Sequence, residues 1–519
     1  MSKFLKGTLI LLIASLITRV LGFINRIVVA RFIGEEGVGL YMMALPTLFL
    51  VVNITQLGLP VAISKFVAEA SARGDHRKVK KILVVSLTCT FSLSLIFTPA
   101  MILLAPTLSE YLFTDNRVIW PLMAIAPIVP IIAVSSVIRG YFQGKQNMKP
   151  FAFSQVIEQI ARITFIAVLT KAFLPYGIEY AAAGAMLASI IGELVSLIYL
   201  VSSFKIKKHF KMRRGFFKVL HSGKSTLREL FGIALPSTGS RMIGNLAWFA
   251  EPIVVAQSLA IAGVSTALAT RQYGELTGYA LPLLMLPSFV TTSLSTALVP
   301  AVSEAQSSNN MTLVEHRLQQ ALKITFLTGC LSVMVLYFFA EPILLLMYGS
   351  DNAAVFIKFL APFFILFYFQ FPLQSVLNAL NMAKSAMINS LLGAALKIAV
   401  IWFLASKENF GIMGAAIGIA AGTLLVTLLH FSTVLKLVPF SFHLRSYAAG
   451  LLIALLSGIG GRFLFNLPTG FPLTIQLLMS ILFILLLFVS LMLLFGQIRK
   501  EHVIRVPVIG KFLALFARV

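Results

Sequence analysis

The sequence predicts an all-α polytopic membrane protein of 14 transmembrane helices: two parallel-repeat six-helix lobes plus two C-terminal helices, with both termini cytoplasmic. Three observations carry that expectation. Of 519 residues, 59% are hydrophobic and 12% charged, and the apolar residues fall in long runs nearly free of charge. A soluble fold could not hide so much apolar surface, and runs of this length read as membrane-spanning helices. Lysines and arginines gather on alternate connections between the runs, as the positive-inside rule requires of cytoplasmic segments. Short motifs of the first half also return, in order, in the second. Barrel strands would alternate polar and apolar residues instead.

The first run follows Lys3 and Lys6, a pattern that also opens signal sequences. No small-residue cleavage site follows, and the apolar stretch continues through Arg19, so it reads as an uncleaved first span. Breaking the chain at charged and Pro/Gly-rich points gives spans at 8–30, 37–63, 82–104, 121–143, 152–173 and 180–203. A basic linker leads to spans at 229–256, 275–301, 321–345, 354–380, 386–405 and 411–436, and the last two cover 446–466 and 472–496. The boundaries are therefore an N-lobe at 1–203, a basic cytoplasmic linker at 204–228, a C-lobe at 229–436, two helices within 437–496 and a basic cytoplasmic tail at 497–519.

With the N-terminus inside, the basic clusters at 65–81 and 139–149, the linker and the tail all face the cytoplasm, Arg139 included. Outward connections carry isolated basic residues such as Arg31, Arg117, Arg271 and Lys407. Residues 62–70, Ala-Ile-Ser-Lys-Phe-Val-Ala-Glu-Ala, are echoed by 297–305, Ala-Leu-Val-Pro-Ala-Val-Ser-Glu-Ala. Ala126-Pro127 is echoed by Ala361-Pro362, Gly177-Ile178 by Gly411-Ile412, and Arg19 with Asn25 by Arg241 with Asn245. An even number of spans per copy gives both copies one orientation, a parallel repeat of the kind transporters use around a central cavity. Small residues at four-residue spacing (Gly184, Ala188, Gly192 and Gly414, Gly418, Gly422) let neighbouring helices approach closely.

The net charge of +24 follows from cytoplasmic loops that collect Lys and Arg, so no nucleic-acid partner is expected. Cys89 and Cys330 lie in apolar spans and read as packing residues. The histidines are scattered, so no metal site is expected. Gly223-Lys224-Ser225-Thr226 resembles the end of a phosphate-binding loop, but Lys218 stands where the earlier glycine is required. The linker reads instead as a basic segment against anionic lipid headgroups. Short outward connections leave no room for a soluble catalytic domain, so neither an enzyme, a catalytic residue nor a cofactor is expected.

Charged residues inside the spans are the functional candidates, since each costs roughly 2.5–3.5 kcal/mol at mid-membrane unless it faces a polar interior. Arg19 and Arg26, seven residues apart, share one helix face. They suit a cavity that binds phosphate or pyrophosphate, although Arg26 could also reach the interface or pair with Glu35 or Glu36. Arg241 and Asn245 occupy the matching depth in the second half. Glu158 and Arg162, four apart, share a face and pair, either as a self-neutralised brace or as a proton or cation site. Lys397 stands at the equivalent place in the eleventh span. Glu193, and Glu251 beside Pro252, are further buried carboxylates open to ion coupling.

Arg19-Val20-Leu21-Gly22-Phe23, followed by Val29-Ala30-Arg31-Phe32-Ile33-Gly34, resembles the first helix of the lipid II flippases. These belong to the multidrug/oligosaccharidyl-lipid/polysaccharide exporter superfamily. Residues 34–43, 67–76 (Val-Ala-Glu-Ala-Ser-Ala-Arg-Gly-Asp-His) and 139–148 (Arg-Gly-Tyr-Phe-Gln-Gly-Lys-Gln-Asn-Met) resemble its sporulation-associated branch. The resemblance implies 14 helices, two six-helix lobes and two extra. It also implies the movement of a polyprenyl-linked precursor for spore cortex peptidoglycan. The flippases' first-helix arginine maps onto Arg19; their next falls on Asn25, with Arg26 one residue along and so about 100° around the helix. Their second-helix and eighth-helix arginines fall near Leu50 and Leu281, so the phosphate-binding set is thinner here.

These readings converge on a plasma-membrane flippase or exporter of a lipid-linked saccharide working by alternating access, with Arg19, Asn25, Arg26, Arg241 and Asn245 as the anion-binding set. In a spore former its place would be the membrane facing the developing cortex. Two alternatives stay open: a membrane scaffold recruiting cell-wall synthases through the 204–228 loop, and an ion-coupled exporter of small cationic compounds.

Overall fold

The computed structural model describes residues 3–207, 222–441, 444–468 and 470–497; for 3–12, 236–237 and 240–241 the description covers the backbone only. Most of the basic linker (208–221) and the tail beyond residue 497 lie outside the described residues. Among the described residues every regular element is helical. Eleven helical runs are long and apolar enough to cross a bilayer, or 12 when the bent pair Thr266–Met285 and Ser288–Ser307 (52°) is one span. This bears out the all-helical polytopic class.

The first helix, α1 (Lys3–Gln56), has 54 residues. At 1.5 Å per residue it would be about 80 Å long, far more than the ~30 Å of a hydrocarbon core. It is broken at Gly34 (φ 65, ψ −174), a backbone state that glycine alone occupies readily. The expected spans 8–30 and 37–63 are therefore two legs of one run. A second break at Leu57–Gly58, both with positive φ, leads into α2 (Leu59–Ala72) with Pro60 in its first turn. Asp75 then accepts a hydrogen bond from the Lys78 N–H at 2.8 Å and starts α3 (His76–Thr107).

The fourth span is α4 (Ile119–Ile125) and α5 (Ile128–Gly144), interrupted at Ala126-Pro127. α6 (Met148–Phe173) and α7 (Ile178–Lys207) complete the first six spans. The second half comprises α8 (Lys224–Ile261), α9 (Thr266–Gly274), α10 (Leu281–Met285), α11 (Ser288–Ser307) and α12 (Met311–Phe338). It continues with α13 (Ala340–Tyr348), α14 (Ala354–Ala379), α15 (Ala383–Ala405) and α16 (Ile412–Leu435). The closing hairpin is α17 (Leu444–Phe465) and α18 (Leu473–Leu494). Pro362, the echo of Pro127, sits inside the continuous α14, so the repeated dipeptide breaks only the first copy. Prolines inside membrane helices are tolerated where neighbouring groups satisfy the freed carbonyls.

Two compact units emerge. One comprises the chain up to Gly278 with Ala405–Ile412, the other Tyr279–Leu404 with the chain from Met413. In the first unit, Leu59, Ile63 and Val67 of α2 pack with Val79, Ile82 and Leu83 of α3, Val137 and Tyr141 of α5, and Leu200 of α7. In the second, Leu298 and Val302 of α11 pack with Leu318 and Leu322 of α12, Leu373, Val376 and Leu377 of α14, and Val434 of α16. The echoed segments 62–70 and 297–305 bury matching positions: Ile63 and Leu298, Val67 and Val302, Ala70 and Ala305, while Glu69 and Glu304 are both exposed.

Candidate functional site

On α1 the shared face of Arg19 and Arg26 is an exposed one, while Asn25 turns into the protein at 7% exposure. The single-residue offset between Asn25 and Arg26 thus decides which side chain is buried. Asn25 Oδ1 is buried and accepts no hydrogen bond, and such an acceptor costs about 1–3 kcal/mol while it stays unsatisfied. In the second half Asn245 is half-buried on α8; the side chain of Arg241, four residues earlier, lies outside the described residues. Glu251 is buried on the same helix, which continues through Pro252.

The Glu158–Arg162 pair forms, with Arg162 Nη2 donating to Glu158 Oε1 at 2.5 Å. It belongs to a larger network. Arg139, one of the charges assigned to the cytoplasm from its spacing, sits in α5 and points its Nη2 at both carboxylates: Glu158 Oε2 at 3.1 Å and Glu193 Oε1 and Oε2 at 3.1 and 3.2 Å. The same nitrogen donates to Ser196 Oγ at 3.1 Å, and Ser135 Oγ donates to Glu193. Three adjacent helices, α5, α6 and α7, therefore share two guanidinium and two carboxylate groups whose formal charges cancel. Removing either sign alone would leave a charge in a low-dielectric interior. Close approach is made possible by Gly192, where a Cβ would lie 2.8 Å from Glu158 O and 3.1 Å from Arg162 Cβ.

The same arrangement recurs around the half-buried Lys397 of α15, where a Cβ on Gly422 of α16 would lie 2.9 Å from Lys397 Cβ. The repeat thus places Arg162 and Lys397 in equivalent glycine-backed positions. Nearby on α15, Asn389 Nδ2 lies 3.2 Å from Nδ1 of the buried His430 and donates to Thr433 Oγ1 at 3.0 Å.

A second charge cluster lies beyond the Gly34 break, and it gives both Glu35 and Glu36 an arginine partner. Glu35 Oε2 accepts from Arg271 Nε at 2.7 Å, and Glu275 Oε1 accepts from the same nitrogen at 3.1 Å. Glu36 Oε1 accepts from Arg117 Nη1 at 2.6 Å. Arg117 also donates from Nε and Nη2 to Asp115, which accepts from Thr270 Oγ1 at 2.7 Å. Glycines bring the backbones together here. A Cβ on Gly39 would fall 2.0 Å from Thr270 O, one on Gly274 2.1 Å from Glu35 O, and one on Gly278 2.1 Å from Val38 Cγ1. The second leg of α1 and α9 therefore meet in a glycine-lined seam edged by ion pairs. Sequence reasoning missed this seam; the Arg271–Glu275 spacing of four was its one local signal.

Repeated membrane spans with internally compensated charges define a multi-pass helical membrane protein. The chain belongs to the family described as Polysaccharide biosynthesis protein, which matches residues 4–306; the MatE family description matches residues 276–403. It is 56% identical over 511 residues to Stage V sporulation protein B of Bacillus subtilis (strain 168), covering 98% of this chain and 99% of that one. It is 24% identical to Lipid II flippase MurJ of the same organism, covering 76% of each chain. Among solved structures, that of Lipid II flippase MurJ in an inward closed conformation superposes with a TM-score of 0.66 at 17% identity, covering 94% of this chain and 99% of that chain. At that identity the likeness speaks for the fold.

Proposed function

We propose that the protein moves a polyprenyl-pyrophosphate-linked saccharide, a lipid II-like peptidoglycan precursor, across the plasma membrane by alternating access of its two six-helix repeats, 1–203 and 229–436. Its service would be spore cortex peptidoglycan synthesis. The observation that carries this reading is Arg19 at mid-span in a chain whose curated relatives include a lipid II flippase and a sporulation protein. A guanidinium offers paired donors that match pyrophosphate oxygens. Asn25, Arg26, Arg241 and Asn245 complete the proposed anion-binding set. The buried Asn25 carboxamide, with an acceptor still open, suits a hydroxyl or amide donor of the headgroup.

The Arg139–Glu158–Arg162–Glu193 network is read as a brace, because its charges cancel internally. Glu251 and Lys397 remain the groups proposed for ion coupling. Anionic lipids at 204–228 and cell-wall synthases are the further partners.

Reconstitution tests this directly. Vesicles holding the full chain and a fluorescent polyprenyl-pyrophosphate saccharide are scored for probe accessible from the opposite leaflet. Wild type is expected to transfer the probe, and Arg19→Ala to lose most of that transfer. A folded Arg19→Ala variant with undiminished transfer would sink the proposal. Loss of function only on charge reversal of 204–228 would point to a scaffold instead.

A further inference from the structure

A cavity of about 350 Å³ opens where the ends of α5 and α7 meet the start of α6, lined by Tyr141, Phe142, Lys145, Asn147 and Lys207. That size lies at the low end for small-ligand pockets. Its floor is aromatic and rigid. Tyr141 and Phe142 are 2% and 1% exposed, and Tyr141 packs edge-on against Phe204 with ring centroids 5.1 Å apart. Its rim is cationic: Lys145 is half-buried, Lys207 is exposed, and among the described residues no carboxylate lines it. Asn147 stands at the N-cap of the 26-residue α6 but makes no side-chain cap. The first-turn N–H groups of that helix are therefore not capped by Asn147, and the positive end of its dipole favours an anion.

We propose that this cavity binds the phosphate-bearing headgroup of an anionic phospholipid in the cytoplasmic leaflet. All three helices belong to membrane spans, and the basic clusters at 139–149 and 204–228 set this end inside. Lysines at the rim then meet the phosphate, above a floor that the buried aromatic rings close off. Basic pockets between membrane helices on this side are suited to acidic headgroups. The rim lies at the ends of membrane-spanning helices, where a phospholipid headgroup sits at the interface and a free phosphate need not. This site does not depend on what is transported. It sharpens the expected contact of the 204–228 segment with anionic lipid to a pocket of named residues.

The test uses the full-length protein in a neutral detergent, titrated with dioctanoyl phosphatidylglycerol, dioctanoyl phosphatidylcholine or inorganic phosphate. Thermal unfolding and native mass spectrometry of retained lipid are the readouts. Phosphatidylglycerol is expected to stabilise and be retained in preference to phosphatidylcholine. Each of Lys145→Gln and Lys207→Gln should weaken its binding about fivefold, the factor expected for one lysine near an anionic surface. The paired control Lys384→Gln with Lys436→Gln, at exposed basic residues elsewhere, should leave the preference intact. Lys145→Arg with Lys207→Arg keeps the charge and should keep the preference even where the glutamine variants fail to fold. Equal binding of the two lipids, unchanged binding in folded glutamine variants, or loss in the arginine pair would each overturn the proposal. Inorganic phosphate that stabilises as well as phosphatidylglycerol and displaces it would assign the pocket to a soluble phosphate instead.

Discussion

Arg139 is the side chain whose placement most changes the picture of the membrane interior. Its single Nη2 serves both Glu158 and Glu193, so removing it takes the guanidinium from Glu193 and leaves Glu158 with Arg162 alone. Arg139→Gln is expected to destabilise the protein by about 3 kcal/mol, the scale of a broken buried ion pair, read from thermal unfolding in detergent. Arg139→Leu combined with Glu193→Leu should cost clearly less than the two single changes added together, because the pair leaves one carboxylate with Arg162. A fully additive pair of effects would show that the groups do not interact. At this scale the sequence was partly legible. The Glu158–Arg162 pair follows from a spacing of four on one helix. Arg139 did not follow, because a basic residue near a span's cytoplasmic end is indistinguishable by position from a loop charge. Asn25 and Arg26 carry the same lesson: their order along the chain is plain, but which one is buried depends on how α1 is turned against its neighbours.

Among the elements, the seam between the second leg of α1 and α9 is built for close approach without bulk. Gly39→Ala would drive a Cβ into Thr270 O and is expected to cost about 1–3 kcal/mol as an overpacked contact. Gly22→Ala, which meets nothing within 4 Å, should be nearly silent in the same unfolding assay. The ion pairs along the seam are more separable than its glycines: the Arg271 side chain is 46% exposed, although the Glu35 and Glu275 side chains it faces are 9% and 10% exposed, so the pairs contribute more than the about 0–1 kcal/mol of fully exposed ones. Arg271→Gln should therefore leave the fold intact while loosening the seam. In a cysteine-free background, Thr270→Cys, at a position 1% exposed in the wild type, should label faster with a membrane-impermeant maleimide once Arg271→Gln is added. Unchanged labelling would show that the arginine does not hold the seam closed. Small-residue spacing foretold close helix packing at Gly184–Gly192 and Gly414–Gly422, and the contacts at Gly192, Gly418 and Gly422 are of that kind. It gave no warning of the Gly39–Gly274 contact, whose glycines lie on separate helices.

For the whole molecule, the sequence by itself determined the class, the span pattern, the expected orientation and the repeat. Each of these rests on a one-dimensional property. Hydrophobic run length is matched to bilayer thickness, basic residues on alternate connections bias insertion, and motif recurrence survives along the chain. The matching burial of 62–70 and 297–305 shows how directly such a pattern carries into packing. Only the tertiary structure decided which charges pair. Arg139 and Glu193 are 54 residues apart, and Arg271 and Glu35 are 236 apart. A guanidinium in an apolar surround must find a counter-charge, but which one it finds depends on which helices the glycines allow to touch and on how each is rotated about its axis.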